Sequence, residues 1–150
     1  MGARQERRLL KNAAEVMRPD ERVELVAMAK VGSVKKALGK SLAFGVAVGV
    51  LSGGTMMAFS TQAEAYIVLT DQQILFFRSH AGTPGKLLLG IPRVYVAITE
   101  PKAGLLLKFQ LHVQGWNEAL ALTVPPLPPR LRKRGVAFTQ VMPRVTLAPA

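Results

Sequence analysis

Few residues in this sequence have a type and spacing that could carry out chemistry. Cysteine is absent, and neither His80 nor His112 has an aspartate or glutamate at the close spacing that would orient the ring or complete a metal site. Residues 82–86 match the end of a phosphate-binding loop, but His80 stands where that motif needs its first glycine, and Leu87 where it needs serine or threonine. The sequence therefore predicts neither a metal site nor a nucleotide site.

Acidic residues are sparse in the second half of the chain. After Glu64 they are Asp71, Glu100 and Glu118, each in or beside a predicted turn. These positions do not predict a pair of carboxylates for acid–base catalysis. We therefore expect a protein that is not an enzyme and has no cofactor.

The charge balance favours anionic partners. The chain of 150 residues is long enough for one domain with a single core, and its 20 lysines and arginines against 9 acidic residues give a net charge of +11. Residues 41–63 carry no charge, so the positive excess lies on both flanks of that stretch. A positive field of this size favours lipid headgroups or nucleic acid. The absence of cysteine and of a signal-peptide pattern at the start predicts a cytoplasmic location.

Two basic segments are candidate contacts for an anionic partner. Residues 3–17 predict an amphipathic helix that ends before Pro19, with Leu9, Ala13 and Val16 on its apolar side. The basic residues of this helix and of the dense cluster near the end of the chain are Arg4, Arg7, Arg8, Lys11, Arg130, Arg132, Lys133 and Arg134. Together they could form a phosphate-facing patch, and the alternative is an ordinary solvated surface. Neither stacking aromatics nor a reading helix is evident, so nucleic acid is the less favoured partner.

A glycine-rich apolar stretch interrupts the chain early. Residues 42–59 are an apolar run at the short limit for crossing a bilayer, and on a helix the small residues Ser41, Gly45, Gly49 and Gly53 would form one groove. Three interpretations remain open: a membrane span, a helix packed through this groove on the sheet or on a second copy, and a helix lying in a membrane interface. The flanking cations Lys35, Lys36 and Lys40 suit the first and the third.

The remaining sequence predicts consecutive antiparallel strands followed by a helix. Short apolar runs separated by turn residues predict strands at 22–31, 65–69, 74–78, 87–91, 94–99, 105–113 and 118–124, with a flexible loop at 80–86. In the strand 105–113, Lys108, Gln110 and His112 are predicted to face water. Proline-rich residues 125–129 end the sheet, and 130–142 predict a helix with Leu131, Val136, Phe138 and Val141 available for burial. Residues 143–150 are predicted to be a frayed tail.

The order of these elements resembles that of a pleckstrin-homology-like domain. The hairpin 66–77, Tyr-Ile-Val-Leu-Thr-Asp-Gln-Gln-Ile-Leu-Phe-Phe, is similar to the Leu-Thr-Asp-x-Arg-Leu hairpin of bacterial pleckstrin-homology-like proteins, with Gln73 in the place of the arginine. The resemblance implies a bent antiparallel barrel closed by the C-terminal helix. Thr70 and Asp71 are turn formers whose side chains bond nearby backbone, so a structural role is expected for them.

These observations predict an α+β fold: a pleckstrin-homology-like barrel of about seven strands at 22–142, with an N-terminal helix in 1–21, the apolar insert at 41–63 between the first two strands, and the tail at 143–150. The expected function is that of a non-catalytic scaffold that binds an anionic membrane surface and a protein partner. The alternative is a soluble homo-oligomeric scaffold or protein-interaction domain.

Overall fold

The computed structural model describes residues 2–35 and 62–145, and for residues 34 and 35 the backbone alone. The helices are α1 (Ala3–Ala14) and α2 (Pro129–Val141), and a short 3-10 turn covers Arg93–Tyr95. The strands are β1 (Val23–Lys35), β2 (Ala63–Thr70), β3 (Gln73–His80), β4 (Thr83–Pro92), β5 (Val96–Ile98), β6 (Lys102–Ala103), β7 (Leu107–Val113) and β8 (Glu118–Val124).

The eight strands form one antiparallel sheet in the order β4-β3-β2-β1-β8-β7-β5, with β6 paired to β7. The long strand β1 holds the two halves together. Its residues from Val23 to Val31 pair with β2, and its residues from Lys30 to Lys35 pair with β8. With a helix at each end of the sequence, this arrangement confirms the predicted α+β class.

One face of the sheet encloses the main core. The main core contains one residue from each of four neighbouring strands, and these residues pair in succession: Ala27, Ile67, Phe76 and Leu89. Ile98 of β5, at the other end of the strand order, lies in the same buried cluster. Because both ends of the sheet contribute to a single cluster, the sheet curls around it.

The helix α2 closes this core. The ring of Phe138 stacks on that of Phe109 with the ring centroids 5.8 Å apart, and Leu131 is buried as predicted. At Gly135 the helix lies so close to β8 that an added Cβ would come within 2.9 Å of the Val124 side chain. By contrast, Val141, which was predicted to be buried, is exposed because the helix ends there.

The helix α1 covers a second apolar cluster on the outer face of the sheet. Leu9 and Ala13 pack there against side chains of β1, β2 and β3, among them Val68. Two side chains of α1 also donate to backbone carbonyls at the sheet edge: Gln5 Nε2 to Gly82 O in the turn before β4, at 2.9 Å, and Asn12 Nδ2 to Gly85 O of β4, at 3.1 Å. The N-terminal helix is thus packed on the sheet. It ends at Ala14, three residues earlier than predicted.

Three predicted boundaries were wrong. The loop expected at 80–86 is only a two-residue turn at Ala81 and Gly82, both with positive φ, and β4 begins at Thr83. The strand expected at 94–99 is divided into the 3-10 turn and the short β5. β1 continues to Lys35, and β2 begins at Ala63, inside the stretch assigned to the insert.

Side chains and chain ends also differ from prediction in three places. Val16 lies beyond α1 and is exposed. His112, predicted to face water, is only 3% exposed, with its Nε2 3.2 Å from Gln110 Oε1. The start of the tail is attached to β5, because Ile98 N–H donates to Pro143 O at 2.8 Å and Val145 N–H donates to Ile98 O at 2.7 Å.

Candidate functional site

The basic residues of α1 form a stripe on its exposed side. At about 100° per residue, Arg4, Arg7, Arg8 and Lys11 fall within an arc of about 100°, on the side away from buried Leu9. All four are exposed. The amphipathic pattern therefore predicted this placement correctly, since burial of the apolar side leaves the cations facing solvent.

The four basic residues of the predicted cluster lie in the first half of α2. Arg132 donates from Nη1 to Leu105 O at 3.0 Å and from Nη2 to Gly104 O at 2.9 Å, so it fastens the loop before β7 to the helix. Arg134 Nη2 lies 2.9 Å from Glu6 Oε2 of α1. Arg130 and Lys133 are exposed.

The ion pair between Glu6 and Arg134 brings the two predicted basic segments together at one corner of the molecule. Arg130 precedes Arg134 by four residues, so it lies one turn earlier on the same side of α2. Whether these cations face phosphates stays a prediction, and Arg132 and Arg134 make contacts within the fold.

Part of the predicted site lies outside the described residues. This applies to Lys36 and Lys40 and to the proposed groove of Ser41, Gly45, Gly49 and Gly53, together with the three interpretations of that stretch. Lys35 is described as backbone, and it pairs with Glu118 of β8.

The sequence did not predict a row of lysines that lies on the outer face of the sheet. Lys30 of β1 pairs with Thr123 of β8, Thr123 with Lys108 of β7, and Lys108 with Lys102 of β6. All three lysines are exposed. At about 4.8 Å between strands, the row is about 14 Å long. The residues are far apart in the sequence, and only the strand register brings them together.

A groove of about 260 Å³ connects this row to α2. Its lining residues include Lys30, Lys108, Gln62, Leu106 and Leu131, with Glu64 as an acidic member. Gln62 is the first residue described after 36–61, so the chain re-enters the sheet beside the lysine row. The basic surface and the base of the uncharged stretch therefore lie next to each other.

The hairpin between β2 and β3 is organised around a buried carboxylate. Glu21 is 7% exposed and accepts hydrogen bonds from the Thr70 hydroxyl and from Gln73 Nε2, the latter at 3.1 and 3.0 Å to its two oxygens. Arg18 N–H donates to it as well, at 3.0 Å. Burial alone would raise the pKa of Glu21, but the hydrogen bonds from Thr70, the Arg18 backbone and Gln73 together outweigh burial and lower it.

The two turn formers of this hairpin bond the backbone around them. Thr70 Oγ1 accepts from the N–H groups of Gln72 and Gln73, at 3.0 and 2.9 Å. Asp71 Oδ1 accepts from Arg22 N–H at 3.0 Å, which ties the turn to the start of β1. The structural role expected for Thr70 and Asp71 is confirmed.

Within residues 2–35 and 62–145, no three metal-binding side chains lie close enough together to hold an ion. None of the helices in these two ranges has the length and apolar character needed to cross a bilayer. No protein-family model matches the chain, and no curated protein matches it either.

Proposed function

We propose that this protein is a non-catalytic module that binds an anionic membrane surface through the basic corner where α1 meets α2. The observation that carries the proposal is that two exposed sets of cations, the α1 stripe and the pair Arg130 and Lys133, lie on helices joined by the contact between Glu6 and Arg134. Each exposed cation near an anionic bilayer contributes about 1 kcal/mol of attraction. Several such contributions acting together are enough for reversible binding.

We further propose a pleckstrin-homology-like scaffold. Three features support it: β1 is shared between the two halves of a curled antiparallel sheet, the last strand is followed by a helix against the core, and the Thr70 and Asp71 hairpin lies between β2 and β3. The lysine row and the groove lie on the outside of this scaffold, on the half formed by β1, β8 and β7.

The uncharged sequence 41–61 supports a lipid partner over nucleic acid. In the sequence it lies between β1 and β2, and Gln62, the residue that follows it, lines the groove with Lys30 and Lys108. An apolar stretch beside cations suits a surface that has both anionic headgroups and hydrocarbon. Nucleic acid has no such apolar phase.

Vesicle flotation tests the proposal. The purified protein is expected to float with vesicles of phosphatidylcholine and phosphatidylserine, to float less with phosphatidylcholine alone, and to lose binding as salt screens the charges. Recovery only in the aqueous fraction with both kinds of vesicle would refute the membrane function.

Variants that each remove one positive charge test which part of the protein contacts the membrane. Arg7→Gln and Lys133→Gln are each expected to weaken binding to anionic vesicles about fivefold, the equivalent of about 1 kcal/mol. Arg22→Gln is the matched control, because Arg22 is exposed and lies at the hairpin of Thr70 and Asp71. Equal losses in all three variants would show that net charge alone, and not the corner, attracts the membrane.

A further inference from the structure

Two highly exposed leucines lie beside the start of α2. Leu105 is 79% exposed and Leu127 is 69% exposed. Leu107, the first residue of β7, pairs with Val124, the last residue of β8. Leu105 precedes this pair by two residues and Leu127 follows it by three, so both leave the sheet at the same end of the β7 and β8 pair.

Both leucines are held in place by their surroundings. The Arg132 guanidinium binds the carbonyls of Gly104 and Leu105, at 2.9 and 3.0 Å. In residues 125–129, Leu127 has two prolines before it and two after it, and φ is restricted at those four prolines. Because these leucines are already oriented, their insertion into an apolar phase requires little additional ordering.

Cations surround the two leucines. Lys102 is exposed on β6, two residues before Gly104, and Arg130 and Lys133 are exposed at the start of α2. Single exposed leucines are ordinary on protein surfaces. A pair on adjacent oriented loops with a rim of exposed cations is complementary to a bilayer with anionic headgroups above hydrocarbon.

From this arrangement we infer that Leu105 and Leu127 insert below the headgroups of an anionic bilayer while Lys102, Arg130 and Lys133 bind the headgroup phosphates. The inference rests on the proposed membrane function and names the part of the surface that enters the lipid. It assigns the β6–β7 loop and the proline-rich loop as the insertion site.

The test compares vesicle binding of the full-length protein with that of Leu105→Ser/Leu127→Ser. The double variant is expected to bind phosphatidylserine-containing vesicles about tenfold more weakly, since it loses two apolar contacts with the hydrocarbon. Leu105→Trp is expected to bind more tightly than the wild-type protein, because tryptophan favours the bilayer interface. The gain expected of the tryptophan variant cannot be produced by unfolding.

Val94→Ser is the matched control. Val94 is 84% exposed and precedes Val96, which pairs with Val113 at the far end of β7, a strand about 20 Å long. Val94→Ser should bind as the wild-type protein does. If the wild-type protein floats with vesicles and both leucine variants bind them as tightly as it does, the insertion site is wrong but the membrane function is not. A wild-type protein that does not bind vesicles would overturn both.

Discussion

Glu6 and Arg134 lie 128 positions apart in the sequence, and their side chains form an ion pair of 2.9 Å that joins the first helix to the last. Glu6 leaves α1 on the side near the sheet, and Arg134 leaves α2 one turn after Arg130. The contact links the basic stripe of α1 to the cations of α2. It acts alongside the packing of Leu9 and Ala13, which holds α1 on the sheet.

A double-mutant cycle on Glu6→Gln and Arg134→Gln measures the strength of this contact. Both side chains are partly exposed, so solvent screens the attraction, and the coupling energy should be about 0.2–1 kcal/mol and fall as salt is added. Urea unfolding of the four proteins measures it. A coupling of zero at low salt would show that the two helices are not held together by this pair.

Thr70 is expected to be the least replaceable polar side chain of the β2–β3 hairpin. Thr70→Val keeps the shape but removes a hydroxyl that donates to buried Glu21 and accepts from two backbone N–H groups. Leaving such groups without partners costs about 1–3 kcal/mol each, so we expect the free energy of unfolding to fall by about 3 kcal/mol or more. Thr70→Ser retains the hydroxyl and should lose less than half as much. Equal losses would show that the methyl group of Thr70 matters as much as its hydroxyl.

Stability should fall with acidification in part through Glu21. Its pKa is lower in the folded protein than in the unfolded chain, so the stability its carboxylate contributes is present above its ordinary pKa. That contribution is lost as the pH falls through the lowered value. Between about pH 7 and about pH 3, the wild-type protein should therefore lose more free energy of unfolding than Glu21→Gln does. If the free energy of unfolding changed with pH in the same way in both proteins, the stabilising role of the hydrogen-bonded Glu21 carboxylate would be contradicted.

In the pleckstrin-homology-like scaffold that we propose, Gln73 would take the place of an arginine, and its amide contacts both Glu21 oxygens. Gln73→Arg presents a guanidinium with paired donors to the same carboxylate, so the variant should be at least as stable as the wild-type protein. Gln73→Glu brings a second carboxylate to the buried one and should destabilise the fold by about 2 kcal/mol or more. Thermal unfolding of the three proteins distinguishes these outcomes. A Gln73→Arg protein less stable than Gln73→Glu would contradict the geometry around Glu21.

Local pattern predicted most of the elements, but it missed β6 and did not predict the relationships between elements. The strand Glu118–Val124 and the start of α2 near Arg130 were predicted from apolar runs and prolines, which are visible within each segment alone. The turn at Ala81 and Gly82 was mistaken for a longer loop, because the Gly and Pro residues of 82–85 indicate a turn in sequence while β4 tolerates them at the sheet edge.

The missed parts of the candidate site depend on register and tertiary contact. Lys30, Lys102 and Lys108 lie in three separate strands, and nothing in any one strand indicates that they share a row. The same holds for Leu105 and Leu127, whose exposure depends on where the β7 and β8 pair ends. Glu21 was missed for a similar reason, since its partners Thr70 and Gln73 are about 50 residues away.

Fluorescence of a probe at Leu105 tests the central claim most directly. The chain has no cysteine, so a single Leu105→Cys variant can be labelled with an environment-sensitive fluorophore without background, and Val94→Cys provides the matched control. With phosphatidylserine-containing vesicles, the probe at 105 should shift its emission to the blue and resist a water-soluble quencher, while the probe at 94 should not change. No shift at 105, or equal shifts at both positions, would contradict insertion of Leu105 into the bilayer.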